Sequence, residues 1–274
     1  MLQVETRQAV HPDHASAMDT EELRAHFMGE GLFAEGEIRL IYTHYDRFVL
    51  GGAVPGADAL VLDVVDETKT PNFLDRREMG IVNIGEAGTV EAGGETYQMG
   101  RGDVLYLGMG SGKVTFSGAG RFYITSCPAH KTYPSKLVTL ADCKEVKMGE
   151  AANSNKRTIK QFIHPNVMES CQLILGYTSL EDGSVWNTIP SHIHDRRMEA
   201  YLYWGMDEDA RVLHLMGEPQ ETRHLFIANE EAVVSPPWSI HSGAGIGEYT
   251  FIWAMAGDNV DYTDMDFIQP KDLR

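Results

Sequence analysis

The stretch Ser191-His192-Ile193-His194-Asp195-Arg196-Arg197-Met198-Glu199-Ala200-Tyr201-Leu202-Tyr203-Trp204 decides how this chain is read. In an extended strand, residues two apart point to one face, so His192 and His194 present their imidazoles to the same cavity. Glu199 has the opposite parity. A turn or bulge within Asp195-Arg196-Arg197, a polar run between apolar stretches, is expected to bring it round. Downstream, the turn Pro236-Pro237-Trp238-Ser239-Ile240 delivers His241 as a fourth candidate donor. Three imidazoles and one carboxylate suit zinc, iron, nickel or manganese. The chain has eleven histidines, so one His-x-His pair alone carries little weight. The nearby carboxylate and the late histidine make the combination a metal site.

Working outward, the same stretch has a weaker copy upstream. Leu74-Asp75-Arg76-Arg77-Glu78-Met79 answers His194-Asp195-Arg196-Arg197-Met198-Glu199. Further on, Thr96-Tyr97-Gln98-Met99-Gly100-Arg101-Gly102-Asp103-Val104-Leu105 resembles the run 225–234. Matching order around a repeated motif indicates a duplicated β-domain. The copies are unequal: Asn72 and Leu74 stand where His192 and His194 would fall, and nothing near residues 110–112 replaces His241. A metal-free half, 1–150, and a metal-binding half, 151–274, are expected.

Short apolar runs, often alternating and separated by Gly, Asn, Asp and Pro, predict strands throughout. They fall at 39–43, 47–50, 59–65, 80–84, 104–107 and 122–125, and again at 171–177, 200–204, 211–216, 224–227, 232–235 and 249–255. Between the two sets, 149–155 reads as a linker. Before them, Asp19-Thr20-Glu21-Glu22 caps one short helix running through Leu23, His26 and Phe27. The expectation is an all-β protein of two barrels with a short N-terminal helix and few others.

Composition narrows the function. A formal charge of −17 lacks the basic footprint of a nucleic-acid binder and repels anions, so an acidic substrate needs local Arg or Lys. No apolar run is long enough to span a bilayer, and Met1-Leu2-Gln3-Val4-Glu5-Thr6-Arg7 lacks the features of a secretion signal, so a soluble cytoplasmic protein is expected. Cys127, Cys143 and Cys171 are odd in number and lack Cys-x-x-Cys spacing, which argues against both a disulfide framework and a thiolate metal site.

His192-x-His194-x4-Glu199 with a later Pro-x-x-x-His241 resembles the cupin pattern, although Trp238-Ser239 stands where a glycine is common. Longer strings resemble the 5-keto-4-deoxyuronate isomerase family of the cupin superfamily. They are Arg76-Arg77-Glu78-Met79-Gly80-Ile81-Val82-Asn83-Ile84-Gly85, Pro128-Ala129-His130-Lys131-Thr132-Tyr133-Pro134, Trp186-Asn187-Thr188-Ile189-Pro190-Ser191-His192, Gly217-Glu218-Pro219-Gln220-Glu221-Thr222-Arg223-His224 and Trp238-Ser239-Ile240-His241-Ser242-Gly243. The resemblance covers almost the whole chain.

It implies a bicupin fold, one zinc per subunit, an oligomer that is often a hexamer, and a ketol isomerase of pectin and uronate breakdown. The reaction implied converts 5-dehydro-4-deoxy-D-glucuronate to 3-deoxy-D-glycero-2,5-hexodiulosonate. A divalent ion held by His192, His194, Glu199 and His241 would act as the Lewis acid, given an expandable coordination shell. Glu218 and His224 are candidate proton carriers, with Glu221 beside them. Arg197 and Arg223 are candidate forks for the substrate carboxylate, with Lys131 as a weaker alternative. Gln172, Tyr203, Tyr201 and Trp238 are candidate pocket residues. The same ligands would equally serve a cupin dioxygenase, and a non-catalytic sugar-binding cupin is a third reading.

Overall fold

Strands carry the chain from end to end, as the alternating runs predict; the computed structural model describes residues 1–258 and 262–274. Contacts divide it into two compact units. Unit 1 comprises Met1–Arg7, Gly31–Lys144 and Gln161–Leu175, and unit 2 comprises Gln8–Glu30, Glu145–Lys160 and Gly176–Arg274. Packing thus assigns residues 8–30 to unit 2 and residues 161–175 to unit 1, where a cut at residue 150 follows chain order alone. Specific bonds account for both assignments. Phe27, at the end of the first long helix, packs edge-on against Trp238 with ring centroids 6.1 Å apart. In unit 1, the amides of Cys171, Gln172 and Leu173 all donate to the Glu78 carboxylate at 2.6–2.7 Å.

In unit 1 one sheet runs in the order Leu2–Arg7, Glu37–Thr43, Val49–Val54, Phe122–Pro128, Arg77–Asn83, Val104–Leu107, Lys136–Val138. The facing sheet runs Leu60–Leu62, Val114–Gly118, Gly88–Ala92, Glu95–Met99. The second set repeats this plan strand for strand. Its larger sheet runs Lys144–Met148, Arg157–Ile163, Ile174–Leu180, Thr250–Gly257, Arg197–Trp204, Ala232–Ser235, Met28–Gly29, and its smaller sheet Trp186–Asn187, Ser242–Gly245, Val212–Glu218, Glu221–Ile227. In both larger sheets the strand that follows the Asp-Arg-Arg motif lies inside the sheet, and every residue of Arg77–Asn83 and of Arg197–Trp204 is buried. That explains why both strands read as nearly continuous apolar runs.

The predicted helix is Thr20–Phe27, and both bonds of its capping box, between Asp19 and Glu22, are made. Two features depart from the sequence reading. Leu2–Arg7 is a strand, parallel to Glu37–Thr43 in the register Leu2↔Ile38 to Arg7↔Thr43. Its six residues mix charged and apolar side chains too evenly to signal burial. The run expected from 171 begins instead at Ile174, because the preceding three amides are taken by the Glu78 carboxylate rather than by a neighbouring strand.

Candidate metal centre

Each of the four candidate donors reaches the unit 2 barrel by a different local device. His192 lies in the short strand His192–Ile193, paired with Phe267, whose ring packs 5.6 Å from the imidazole. The chain then turns at Asp195-Arg196, so the expected reversal of parity occurs there, and Glu199 follows as the third residue of the strand Arg197–Trp204. His241 directly precedes the strand Ser242–Gly245, after a turn closed by Ser239 N–H donating to the Pro236 carbonyl.

The four side chains converge, with one ligand atom from each lying within 4.8 Å of all the others, and all four residues are buried. His192 Nε2 is 3.1 Å from His194 Nε2 and 3.0 Å from His241 Nε2, while Glu199 Oε2 is 3.0 Å from His194 Nε2 and 2.9 Å from His241 Nε2. Two donors each about 2.1 Å from one ion lie about 3.0 Å apart at a right angle and about 3.4 Å apart at a tetrahedral one. The four edges of 2.9–3.1 Å are of the size that donors to one ion require. Three Nε2 atoms this close also cannot all be satisfied by shared protons, since one N–H serves one neighbour; a cation satisfies them together.

Protonation suits the same reading. Burial lowers the His192 imidazole to about 2, helped by the neighbouring His241 and His194. His194 is also lowered, by burial against the opposing pull of Glu199. Burial pushes the Glu199 carboxyl up, but His241 and His194, through charge and hydrogen bonds, outweigh it and hold the group well below the usual carboxylate range. A lowered imidazole and an ionised carboxylate are the forms in which these side chain types bind a divalent metal.

Around the donors, the remaining candidates fall into distinct places. Arg197 is 1% exposed, forms an ion pair with Asp264 at 2.7 Å, and lies 3.3 Å from His194 Nδ1, on the far side of that ring from the cluster. Tyr203 is fully buried, with its hydroxyl 2.8 Å from His214 Nδ1. The Tyr201 hydroxyl meets Thr188 Oγ1 at 3.1 Å, and its ring stands 5.4 Å from that of His241. Burial raises both phenols well above the ordinary tyrosine range.

Arg223 is tied to Glu221 at 2.8 Å and to the Ser16 carbonyl. Glu218, Glu221 and His224 are exposed on the hairpin Val212–Glu218 with Glu221–Ile227. His224 lies on its outer face, ring against Phe226 at 5.6 Å, whereas Leu225 and Ile227 face inward. Gln172 belongs to unit 1, where its amide donates to the Pro128 carbonyl at 3.0 Å. Lys131, also in unit 1, is exposed and packs on Tyr133. The structure therefore brings together the four donors, with Tyr201 and Arg197 beside them.

Sequence reasoning passed over three interior residues, His214, Asn187 and Ser235. Each is buried and keeps one polar side-chain atom without a hydrogen-bond partner among the described residues. Parity would have found His214, which shares a strand face with Val212 and Met216 and so occupies the buried side of an alternating run.

Comparison with known proteins identifies the family. The family model described as the KduI/IolB family matches residues 26–271. A 4-deoxy-L-threo-5-hexosulose-uronate ketol-isomerase of Agrobacterium fabrum is 78% identical over 274 residues, covering 100% of both chains. Relatives of the same name from Cereibacter sphaeroides and Shouchella clausii are 63% and 51% identical, covering 100% and 99% of this chain and 100% of their own. Among solved structures, an IolB-like protein from Salmonella typhimurium superposes with a TM-score of 0.72 at 15% identity, covering 88% of this chain and 96% of its own. A Bacillus subtilis oxalate decarboxylase superposes with a TM-score of 0.53 at 10% identity, covering 78% and 70%. At such identities the structural matches speak for the fold alone, a duplicated cupin-type β-barrel. With a family match across most of its length and full-length relatives well above half identity, the chain belongs to the KduI/IolB family and is an enzyme of the ketol-isomerase kind, an intramolecular oxidoreductase.

Proposed function

We propose that this ketol-isomerase converts 5-dehydro-4-deoxy-D-glucuronate to 3-deoxy-D-glycero-2,5-hexodiulosonate in uronate and pectin breakdown, with one zinc ion held by His192, His194, Glu199 and His241. The observation that carries the metal part of this reading is the set of four buried donors with edges of 2.9–3.1 Å. The substrate follows the names of the full-length relatives. A divalent ion at these donors supplies Lewis acidity to neighbouring sugar oxygens.

The reaction is internally balanced. C2 gives its hydrogen to C1, and O2 gives its proton to O1, so no oxidant or reductant enters. The protein's own groups have three tasks. The buried donors keep a fixed geometry, and Arg197, paired with Asp264, fills the space behind the His194 ring. The enclosed interior excludes water from the carbon acid. Interior polar groups orient the sugar oxygens. Glu218 and His224 face solvent on the hairpin, and Arg223 is tied to Glu221 and the Ser16 carbonyl, so none of the three takes part in the proton transfer at the buried donors. Unit 1, the counterpart of the metal-free half, contributes packing and subunit contacts within a cytoplasmic homo-oligomer, proposed as a hexamer.

The test uses the purified protein and the unsaturated-uronate product of a pectate or alginate lyase, followed by NMR under argon. Loss of the C1 aldehyde signal with growth of a C2 ketone is expected without oxygen. Exhaustive chelation should stop it, and added zinc should restore it. A metal-loaded protein that leaves the sugar unchanged defeats the substrate assignment. Undiminished turnover by metal-free protein defeats the metal assignment. Light scattering at six times the chain mass checks the hexamer.

A further inference from the structure

The unit 2 barrel holds a second polar chain of contacts whose direction can be worked out from one end. The Val185 carbonyl only accepts, and Tyr249 Oη donates to it at 2.9 Å. The same phenol oxygen must therefore accept at its other contact, with Asn187 Nδ2 at 3.1 Å. This fixes which way round the Asn187 amide lies. The Asn187 side chain also bonds the Tyr203 hydroxyl, and because its oxygen meets no partner among the described residues the contact runs through the nitrogen. An amide nitrogen cannot accept, so the Tyr203 proton goes to its other partner, His214 Nδ1, at 2.8 Å. A neutral imidazole that accepts at Nδ1 carries its hydrogen on Nε2. Burial keeps His214 neutral, lowering it to about 3. Its Nε2 is buried and meets no partner among the described residues.

Two details indicate that the arrangement is built. Gly243 lies opposite His214 in the strand pairing, and a Cβ there would fall 2.9 Å from Asn187 Nδ2 and 3.0 Å from Tyr203 Oη, so only glycine leaves this junction undisturbed. Second, a buried N–H without an acceptor bears the full desolvation cost of that group, and an apolar side chain would avoid it. The corresponding interior of unit 1 is apolar, with Val90 and Phe116 in its core. The orphan donor also shares the interior with the metal centre, since the His214 ring is 5.8 Å from Tyr201, whose ring is 5.4 Å from His241.

We propose that His214 is a catalytic hydrogen-bond donor of this isomerase: its Nε2–H binds the carbonyl oxygen of the substrate and keeps that bond as negative charge gathers there. Tyr203 and Asn187 are positioning residues that hold the imidazole in the donating tautomer. A preorganised neutral donor suits a developing oxyanion, because it offers a hydrogen bond without surrendering a proton. The proposal rests on the ketol-isomerase reaction and is independent of which sugar is bound.

Two measurements decide it. In ¹⁵N-histidine NMR of the intact metal-loaded protein between about pH 6 and 8, the His214 signals, identified by their loss in His214→Gln, are expected to show a neutral ring protonated at Nε2. Tyr203→Phe should move the population toward the Nδ1–H form. A wild-type ring protonated at Nδ1, or at both nitrogens, overturns the proposal without reference to any substrate. In steady-state kinetics, His214→Leu should lower kcat roughly 100- to 1000-fold with KM little changed and metal content equal to wild type. His214→Gln, which returns an N–H near the same place, should recover about tenfold of that loss. A fully metal-loaded His214→Leu protein within about threefold of wild-type kcat refutes the role. If wild-type protein fails on the proposed uronate, the substrate assignment falls, and the tautomer measurement still decides whether the donor exists.

Discussion

At one matching cross-strand position the two barrels hold opposite chemistry. In unit 1, Met79 faces Leu107 across the sheet; in unit 2, Glu199 faces Ser235. Directly opposed residues in an antiparallel pair share one face of the sheet, so both pairs point into their barrels. Unit 1 continues as it begins, with Ile81, Leu105, Phe116 and Phe122 forming an apolar core. Unit 2 surrounds Glu199 with His192, His194 and His241 and adds the buried His214 and Asn187. The scaffold therefore does not require a polar interior; one copy is filled for stability and the other is arranged for chemistry. A carboxylate is tolerable at Glu199 only because its neighbours are donors.

The largest effect is expected from giving unit 2 the residue of unit 1. Glu199→Met removes one metal donor and the group that balances the imidazoles. We expect the purified variant to hold little metal and to lose about 1000-fold or more in activity, about 4 kcal/mol of transition-state stabilisation. Elemental analysis and initial rates check this, and a variant that keeps one ion per chain at wild-type rate breaks the contrast. The reverse exchange acts on stability. Leu107→Ser places a smaller, hydroxylated side chain in a fully buried apolar site. The lost packing and an unpartnered hydroxyl should cost about 3 kcal/mol in urea unfolding. A loss below about 1 kcal/mol would mean that the unit 1 interior is not close-packed.

Much of this contrast is legible before any coordinates. His192, His194 and Glu199 lie close together in sequence, and Asn72 and Leu74 already mark the other copy as lacking the histidines. The turn at Asp195-Arg196 follows from parity alone. What the sequence hides is long-range pairing. Glu78 sits within the repeated motif, yet its carboxylate clamps three amides more than ninety positions away, a bond that no local pattern announces. His214 illustrates a different limit. A single histidine in Val212-Leu213-His214-Leu215-Met216 looks like an ordinary core position until Tyr203, Asn187 and Tyr249 are seen to orient it. Glu218 and His224 drew notice because they lie in a family-like string, but alternation along Glu221–Ile227 puts His224 on the outer face.

Acid separates the barrels by a smaller margin. In metal-free protein His192 and His214 are lowered to about 2 and about 3, whereas in the unfolded chain they titrate near 6.5. Between those values the unfolded chain binds protons that the folded chain refuses, so stability rises with pH in this window and is lost as pH falls below about 6.5. Each group should contribute about 1 kcal/mol of loss between about pH 6.5 and 5.5. The apolar core cluster of unit 1 should contribute no such slope, and the buried His164 of that unit is set apart by comparison with His164→Gln. Chelated protein unfolded in urea at several pH values tests this. A flat profile would show that both imidazoles can charge within the fold, against the enclosed interior argued for unit 2.

Ser235→Ala should have the smallest effect and probes the contrast most finely. Ser235 is 1% exposed, directly opposite Glu199, and its hydroxyl has no hydrogen-bond partner among the described residues. Deleting a buried hydroxyl that bonds to nothing relieves its desolvation and leaves only a small void, so metal-free Ser235→Ala protein should match wild type or gain up to about 1 kcal/mol. The result depends on what fills the unit 2 barrel. If water occupies it, the hydroxyl already has a partner, and alanine should cost about 1 kcal/mol instead. Calorimetry of the two metal-free proteins distinguishes a dry interior, which unit 1 shows is compatible with this scaffold, from a wet one whose waters a sugar displaces on entry.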